Sequence, residues 1–222
     1  MQLALDTSTD MASIALVDDS EVLAELTWHC GQNHTTQLLP NISYLLGKTS
    51  IKSISGIFVA KGPGSYNGLR VGISTAKGLA FSLKVPVVGI STLEADAYQH
   101  AETGLPICPI YNAGRGEIAT AMYQMKGDRW RRLATEHITT VDALEITDRT
   151  IFCGELVSAI APRLRSMFGE LAMIAAPAAR LRRASFLAEL GQMRLANGDS
   201  DDPVTLQPLY LRRPSITTPR HR

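Results

Sequence analysis

Residues 56 to 83 constrain the fold more than any other part of the chain. Their sequence, GIFVAKGPGSYNGLRVGISTAKGLAFSL, begins with an apolar run at 57 to 60 that indicates a buried strand. A glycine-proline-glycine turn at 62 to 64 ends that run abruptly. From Gly68 onward, apolar residues recur at the spacing of one helical face. The segment therefore predicts a strand, a glycine-rich turn and a long helix over 68 to 83.

Small residues line one flank of this helix, at Gly68, Gly72, Thr75 and Gly78. Each glycine costs a helix about 1 kcal/mol relative to alanine. We therefore expect another backbone to approach this flank closely.

The glycine-rich turn matches neither of the two commonest phosphate-binding motifs. A P-loop would need Gly-Lys-Ser/Thr at the correct distance, and none follows Gly62 or Gly64. In a dinucleotide fingerprint the third glycine would stand one residue before Gly68. Two interpretations stay open: a tight strand-to-helix connection, and a backbone cradle for an anion at the helix N-terminus.

Three motifs together resemble the bacterial TsaB family: KGPGSYNGLRVG at 61 to 72, LDTS at 5 to 8, and PLYLR at 208 to 212. The resemblance covers nearly the whole chain, and the order and spacing of the motifs are also those of the family. It implies an α/β fold of the actin-like ATPase superfamily, with duplicated RNase H-like lobes of mixed sheets flanked by helices. It also implies a non-catalytic subunit of the machinery that makes threonylcarbamoyladenosine at adenosine 37 of tRNA.

The order of elements agrees with a duplicated fold, because three strands followed by alternating helices and strands occur twice. We expect an N-terminal actin-like lobe with the partner-binding helices at 1–103, a C-terminal lobe at 104–211, and a disordered basic tail at 212–222. The expected helices are 34 to 46, 68 to 83, 92 to 101, 140 to 147, 155 to 168 and 182 to 196.

Charge and apolar content exclude several classes of protein. The 222 residues carry a net charge of +1, so no global basic field holds a tRNA. The sequence has no signal-like start and no apolar run of membrane-spanning length, which predicts a cytoplasmic protein without a membrane partner. Cys30, Cys108 and Cys153 are far apart and indicate reduced thiols.

The resemblance also bears on catalysis. In enzymes of the superfamily an Asp at the end of the first strand of each lobe organises metal and phosphate; Asp6 has that place here, but Asn112 stands in the second lobe. Thr92 and Asp96 stand where the catalytic partner, TsaD, has a metal-binding histidine pair. Threonine is a poor metal ligand, so we expect no catalytic residue, no metal and no cofactor.

A cofactor site in the first lobe remains the alternative interpretation of one group of residues. The side chains after the first strand either satisfy their own turn or bind phosphate. The candidates for phosphate binding are Asp6, Thr7, Ser8, Gly62 and Gly64.

Two charged clusters have simpler explanations. Arg180, Arg182 and Arg183 are able to touch phosphate, but no aromatic residues accompany them, so a solvated start of a helix is favoured. The acids at 199, 201 and 202 precede Pro203 and indicate a solvated linker.

A partner surface is predicted on the helices at 34 to 46 and 68 to 83. The apolar stripe of the first helix alone indicates a helix lying on its own sheet. The glycine flank of the second and the resemblance favour a helix bundle with a partner instead. The candidate interface residues are His34, Leu38, Leu39, Ile42, Leu45, Leu46, Gly68, Arg70, Gly72, Ile73 and Lys77.

The partners follow from the resemblance. They are a TsaD-like transferase, a TsaE-like ATPase through the complex, a second copy of this chain when the transferase is absent, and tRNA only through the complex. The alternative function is a small ATPase of the actin-like fold or a metalloenzyme of the glycoprotease type.

Overall fold

Two five-stranded mixed sheets with the same strand order form the centre of the protein. The computed structural model describes residues 1–19 and 21–212. The first sheet has the order β3-β2-β1-β4-β5, and its strands are β1 (Gln2–Asp6), β2 (Met11–Asp18), β3 (Glu21–His29), β4 (Gly56–Gly62) and β5 (Val87–Ser91). The second has the order β8-β7-β6-β9-β10, and its strands are β6 (Ile107–Gly114), β7 (Glu117–Lys126), β8 (Arg129–Thr139), β9 (Thr150–Cys153) and β10 (Ala172–Ile174).

Five α-helices surround these sheets. They are α1 (His34–Leu46), α2 (Tyr66–Leu83), α3 (Thr92–Tyr98), α4 (Val157–Phe168) and α5 (Ala184–Ala196). Short 3₁₀ turns stand at Ile51–Ser53, Ala101–Thr103, Val141–Ala143, Gly169–Leu171 and Ala178–Arg180. Within the described residues, no helix is long and apolar enough to cross a membrane.

The pairing of strands repeats in the two sheets. β1 pairs antiparallel with β2 and parallel with β4, and β6 pairs antiparallel with β7 and parallel with β9. Parallel neighbours need a crossover connection, which α2 supplies between β4 and β5, and α4 supplies between β9 and β10. The predicted duplicated α/β fold with mixed sheets is confirmed.

Each sheet receives a helix from the other half of the chain. α1 and α2 cover one face of the first sheet, while α5, which follows the second sheet, covers the other face through Leu187, Ala188 and Leu190. In exchange, Leu93 and Ala97 of α3 pack on the second sheet. The division at 103/104 stays an inference from chain order, and this exchange joins the two halves.

The C-terminal strap, residues 201 to 212, runs back over the first sheet. The Asp201 amide donates to the Val87 carbonyl and its carboxylate accepts from the Gly89 amide at 2.8 Å, so this acid is not the solvated linker residue predicted from sequence. Farther along, Lys77 of α2 donates from Nζ to the Val204 carbonyl at 3.1 Å, and the Tyr210 ring stacks on Tyr66.

Two predicted helices differ from the structure by more than two residues. The helix expected at 140 to 147 is wrong: only the turn Val141–Ala143 forms there. Val141, Leu144 and Ile146 all reach the core of the second sheet, and the last two are spaced as in extended chain. The helix expected at 92 to 101 ends earlier, at Tyr98. Except for Arg212, the tail predicted to be disordered lies outside the described residues.

Candidate functional site

The turn after β1 lies against the glycine-rich turn before α2. Thr7 donates from Oγ1 to the Gly68 carbonyl at 2.8 Å, and Ser65, the N-cap of α2, donates from its amide to the Ser8 carbonyl at 2.6 Å. A Cβ atom at Gly64 would overlap the Ser8 carbonyl, and one at Gly68 would overlap the Thr7 carbonyl. Of the two open interpretations, the geometry favours the tight connection, because the chain's own β1 turn covers the helix N-terminus.

The same contacts correct the expected role of the glycine flank. The turn at Thr7 is the close neighbour of both glycines: its backbone carbonyl lies beside Gly68 and its side-chain hydroxyl beside Gly72. Of the three glycines on this flank, only Gly78 meets no described atom within 4 Å of the place where its Cβ would stand.

Arg182 lies at the centre of the site and pairs with Asp6. Its Nε is 3.3 Å from Oδ2 of Asp6, and both side chains are more than nine-tenths buried. The other carboxylate oxygen of Asp6, Oδ1, accepts from the amide and the hydroxyl of Ser8, at 2.9 and 2.6 Å. The solvated helix start expected for Arg182 is therefore wrong.

Sequence reasoning missed Arg182 because no local signal marks it. Its partners follow β1, far away in the chain, and its neighbours in sequence are ordinary for the start of a helix. Arg183, by contrast, is half-exposed and pairs with Glu25 at 2.8 Å.

Tyr111 and Asp96 extend the buried cluster towards the second sheet. The Tyr111 hydroxyl accepts from Nη1 of Arg182 and donates to Oδ2 of Asp96, both at 3.1 Å. Oδ1 of Asp96 has no partner among the described residues. Burial raises the pKa of Asp96 to about 7, against the opposing effect of the Arg182 charge.

The charge of Arg182 is stabilised in spite of its burial. Burial opposes the guanidinium charge, but Asp6, Tyr111 and Asp96 together outweigh it and raise the pKa of Arg182 above its ordinary value. The arginine is therefore a cation at neutral pH.

A cleft of about 600 Å³ opens above this cluster. Asp10, Asn112 and Glu155 line it together with Gly64 and Tyr111. The backbone N–H of Asn112 donates to Oε1 of Glu155 at 3.3 Å, and burial raises the pKa of Glu155. Two carboxylates and an amide at its wall make this cleft unfavourable for a phosphate.

Thr92 and Asp96 stand at the positions compared above with the metal-binding histidine pair of the transferase. Both side chains make hydrogen bonds within the chain. Thr92 accepts through Oγ1 from the Gly62 amide at 3.1 Å, and Asp96 bonds Tyr111 as described. Gly62 has a φ of 107°, and a Cβ there would come within 3.0 Å of the Leu209 carbonyl of the C-terminal strap. Across residues 1–19 and 21–212, no group of three His, Cys, Asp or Glu side chains is arranged to hold a metal ion.

All five candidate cofactor residues meet at this site, but their polar groups serve the chain itself. Asp6 and Ser8 bind Arg182, Thr7 binds Gly68, and the remaining two are the glycines of the turn. The three cysteines are free and buried, as expected.

The predicted partner surface is only partly exposed. His34 is buried and donates from Nε2 to the Thr9 carbonyl at 2.7 Å. The other interface candidates that are buried in the first lobe are Leu38, Ile42, Leu46, Gly68, Gly72 and Ile73. These side chains form the core under α1 and α2, so they are not available to a partner and that part of the prediction is corrected.

Among the residues of the two helices that remain exposed are Leu39 and Tyr44 on α1 and Arg70, Ser74, Gly78 and Phe81 on α2, and we call this set the helix-pair face. Leu39 is 55% exposed, Tyr44 76% and Phe81 81%. Leu45 and Lys77 are half-buried, the first in the core and the second under the C-terminal strap.

Comparisons with known proteins agree with this fold. Residues 28–219 match the family model described as TsaD, tRNA N6-adenosine threonylcarbamoyltransferase. The tRNA threonylcarbamoyladenosine biosynthesis protein TsaB of Bacillus subtilis (strain 168) is 34% identical over 217 residues, which are 95% of this chain and 93% of that protein. TsaB of Escherichia coli (strain K12) is 35% identical over 126 residues, 55% of this chain and 54% of that protein.

A solved structure gives the same result. A crystal structure described as an uncharacterized protein with similarity to peptidase YeaZ from Pseudomonas aeruginosa has a TM-score of 0.81 at 25% identity, covering 96% of this chain and all of the other. Sequence similarity over nearly the full length and a shared fold thus point to the same group. The chain belongs to the TsaB family, also named YeaZ.

Proposed function

We propose that this chain acts in the biosynthesis of threonylcarbamoyladenosine in tRNA as a non-catalytic subunit that binds a TsaD-like transferase. The observation that carries the proposal is the similarity to TsaB of Bacillus subtilis over 95% of the chain. The match of residues 28–219 to the transferase family model adds that the chain is built like the protein it would bind.

The chemistry of the site supports a non-catalytic role. Asp6 is neutralised by Arg182, and Thr92 and Asp96 are held in internal hydrogen bonds. An acid that pairs with a buried arginine is a poor ligand for a divalent ion, because the ion would have to displace that arginine. For the alternatives, an ATPase or a metalloenzyme of the glycoprotease type, residues 1–19 and 21–212 offer no cluster of three His, Cys, Asp or Glu side chains arranged to hold a metal.

The helix-pair face is the surface we propose for the partner. Its Tyr44 and Phe81 are large side chains that are 76% and 81% exposed, so both are available to a binding partner. Gly78 lies on the same face with open space around it, which allows a partner helix to cross closely.

Similarity between this chain and the transferase supports the binding of either a second copy of this chain or the transferase at the helix-pair face. The transferase of Fervidobacterium nodosum is 36% identical over 115 residues, 44% of this chain and 34% of that protein. If both present related helices, a second copy and the transferase compete for the helix-pair face. A homodimer then forms only when the transferase is absent. A TsaE-like ATPase and tRNA join through the complex, since a net charge of +1 gives this chain little attraction for tRNA alone.

Reconstitution with the transferase and ATPase of the same organism tests the proposal. Unmodified tRNA is incubated with a threonylcarbamoyl-adenylate source, and threonylcarbamoyladenosine is measured by nucleoside mass spectrometry. We expect no threonylcarbamoyladenosine with this chain alone. We expect modified tRNA with all three proteins, and a fall to background when this chain is left out. Modification by this chain alone, or equal modification without it, would refute the proposal.

A further inference from the structure

Asp6 stands where the fold family implies a ligand for metal and phosphate, but the donors present do not fit such a group. Oδ1 of Asp6 is taken by Ser8 and Oδ2 by Arg182, while Asn112 in the second half uses its Oδ1 to accept from the Gly114 amide at 2.8 Å. A hard divalent cation needs free oxygen ligands, and a guanidinium already fills this place.

We propose that Arg182 is an internal cation that occupies the place beside Asp6 where the fold family would hold a metal ion, and that it clasps the two halves of the protein together. Tyr111 comes from the second sheet, Asp6 from the first, and Arg182 from the connection between β10 and α5. One guanidinium therefore contacts three separate parts of the chain.

The guanidinium of Arg182 makes four hydrogen bonds in addition to its ion pair with Asp6. Besides Asp6, its partners are Oγ of Ser8 at 2.9 Å, OH of Tyr111 at 3.1 Å, Oγ1 of Thr9 at 2.7 Å and the Met11 carbonyl at 3.1 Å. The four hydrogens on its two Nη atoms thus have four acceptors, and its Nε forms the ion pair with Asp6. The Ser8 and Tyr111 hydroxyls each accept a hydrogen bond from the arginine. The Ser8 hydroxyl donates its own hydrogen bond to Asp6, and the Tyr111 hydroxyl donates to Asp96.

This arrangement makes the site specific for a planar, forked cation. A lysine would supply a single point charge and three donors, which cannot reach five acceptors arranged around a plane. Removal of the side chain would leave Asp6 buried and unpaired, which is a strongly destabilising state. The resulting cavity would be polar, anionic and shaped like a guanidinium.

Chemical rescue tests the proposal on the full chain. The variant Arg182→Ala is melted with and without a few millimolar ethylguanidinium, far below denaturing concentrations, and with ethylammonium at the same ionic strength. We expect Arg182→Ala to melt well below the wild type, and ethylguanidinium to raise its Tm by about 3 °C or more, as a ligand that binds only the folded state does. Ethylammonium should have a clearly smaller effect.

Arg183→Ala is the matched control, because Arg183 is the neighbouring arginine and pairs with Glu25 at the surface. Ethylguanidinium should leave the Tm of this variant and of the wild type unchanged. A wild-type Tm for Arg182→Ala, or equal rescue by the two cations, would overturn the proposal.

A second pair of variants applies if Arg182→Ala does not fold. Arg182→Lys and Asp6→Asn are compared singly and together by urea unfolding. We expect the loss caused by Arg182→Lys to shrink in the Asp6→Asn background, because the effects of substitutions at two residues of one ion pair are not additive. Equal losses in both backgrounds would show that Asp6 and Arg182 are independent, and the clasp would be refuted.

Discussion

The hydroxyl of Thr7 occupies the space beside Gly72 where a side chain would have to stand. Both residues are buried, and Thr7 also binds the carbonyl of Gly68 one turn earlier in α2. The turn after β1 therefore lies directly on the helix, and two of its glycines are needed for that contact. Gly78, two turns farther along, has no such neighbour.

Alanine at Gly78 and alanine at Gly72 should have opposite effects on stability. Gly78→Ala adds helix propensity without a clash and should raise the free energy of unfolding by up to about 1 kcal/mol. Gly72→Ala should lower it by about 1–3 kcal/mol, because the new methyl group overlaps Thr7 in a well-packed region. Urea unfolding of both variants measures this. A stabilised Gly72→Ala protein would contradict the description of the turn.

The pH dependence of stability should change when Asp96 is replaced. Its pKa is about 7 in the folded protein, above the ordinary value near 4, so the folded state holds a proton that the unfolded state has lost. The contribution of Asp96 to stability is full below pH 4 and is lost as the pH rises to about 7. Asp96→Asn resembles the protonated form, so it should remove this part of the pH dependence.

Urea unfolding at pH 5, 6, 7 and 8 measures the effect. The wild type should lose stability relative to Asp96→Asn as the pH rises from 5 to 7, and the difference should be constant above that. Parallel curves for the two proteins would mean that Asp96 does not titrate in this range.

Magnesium ATP should bind the isolated chain weakly or not at all. Asp6 is paired with Arg182, Asn112 carries no charge, and Glu155 faces the cleft. Isothermal calorimetry tests this, with the Arg183→Ala variant as a control for surface binding to phosphate. A micromolar affinity, corresponding to about 8 kcal/mol, would contradict the assignment of these residues to internal roles.

Local patterns in the sequence predicted the elements of the fold well, and the reason is physical. Strands β4 and β9 are short apolar runs between turn residues. Helices α1 and α2 each have apolar residues at the spacing of one helical face. The segment at 140 to 147 was misread because three apolar residues within six positions fit a helix and an extended chain almost equally.

The site was harder to predict, because its contacts join distant residues. An apolar stripe such as Leu38, Ile42 and Leu46 looks the same whether it covers the protein's own sheet or a partner, and here it covers the sheet. Glycines at 68 and 72 likewise indicate a close approach but not which part of the protein approaches. Only the tertiary structure brings Arg182 to Asp6.

Substitutions on the helix-pair face should prevent association without unfolding the protein. Gly72→Glu and Leu45→Asp are unsuitable, since Gly72 is buried and Leu45 packs on the core. Leu39→Asp and Phe81→Glu change exposed side chains, and such changes usually alter stability by no more than about 0.5 kcal/mol. A charge at the centre of an interface of roughly 1,600 Å² should weaken binding at least tenfold.

Light scattering of Phe81→Glu tests the central claim most directly, alone and mixed with the TsaD-like protein of the same organism. Leu133→Glu is the control, because Leu133 is 52% exposed but lies on β8, away from α1 and α2. We expect the wild type and Leu133→Glu to form a homodimer alone and a heterocomplex with the transferase, and Phe81→Glu to stay a folded monomer in both samples. A Phe81→Glu protein that melts normally and still forms both complexes would contradict the account.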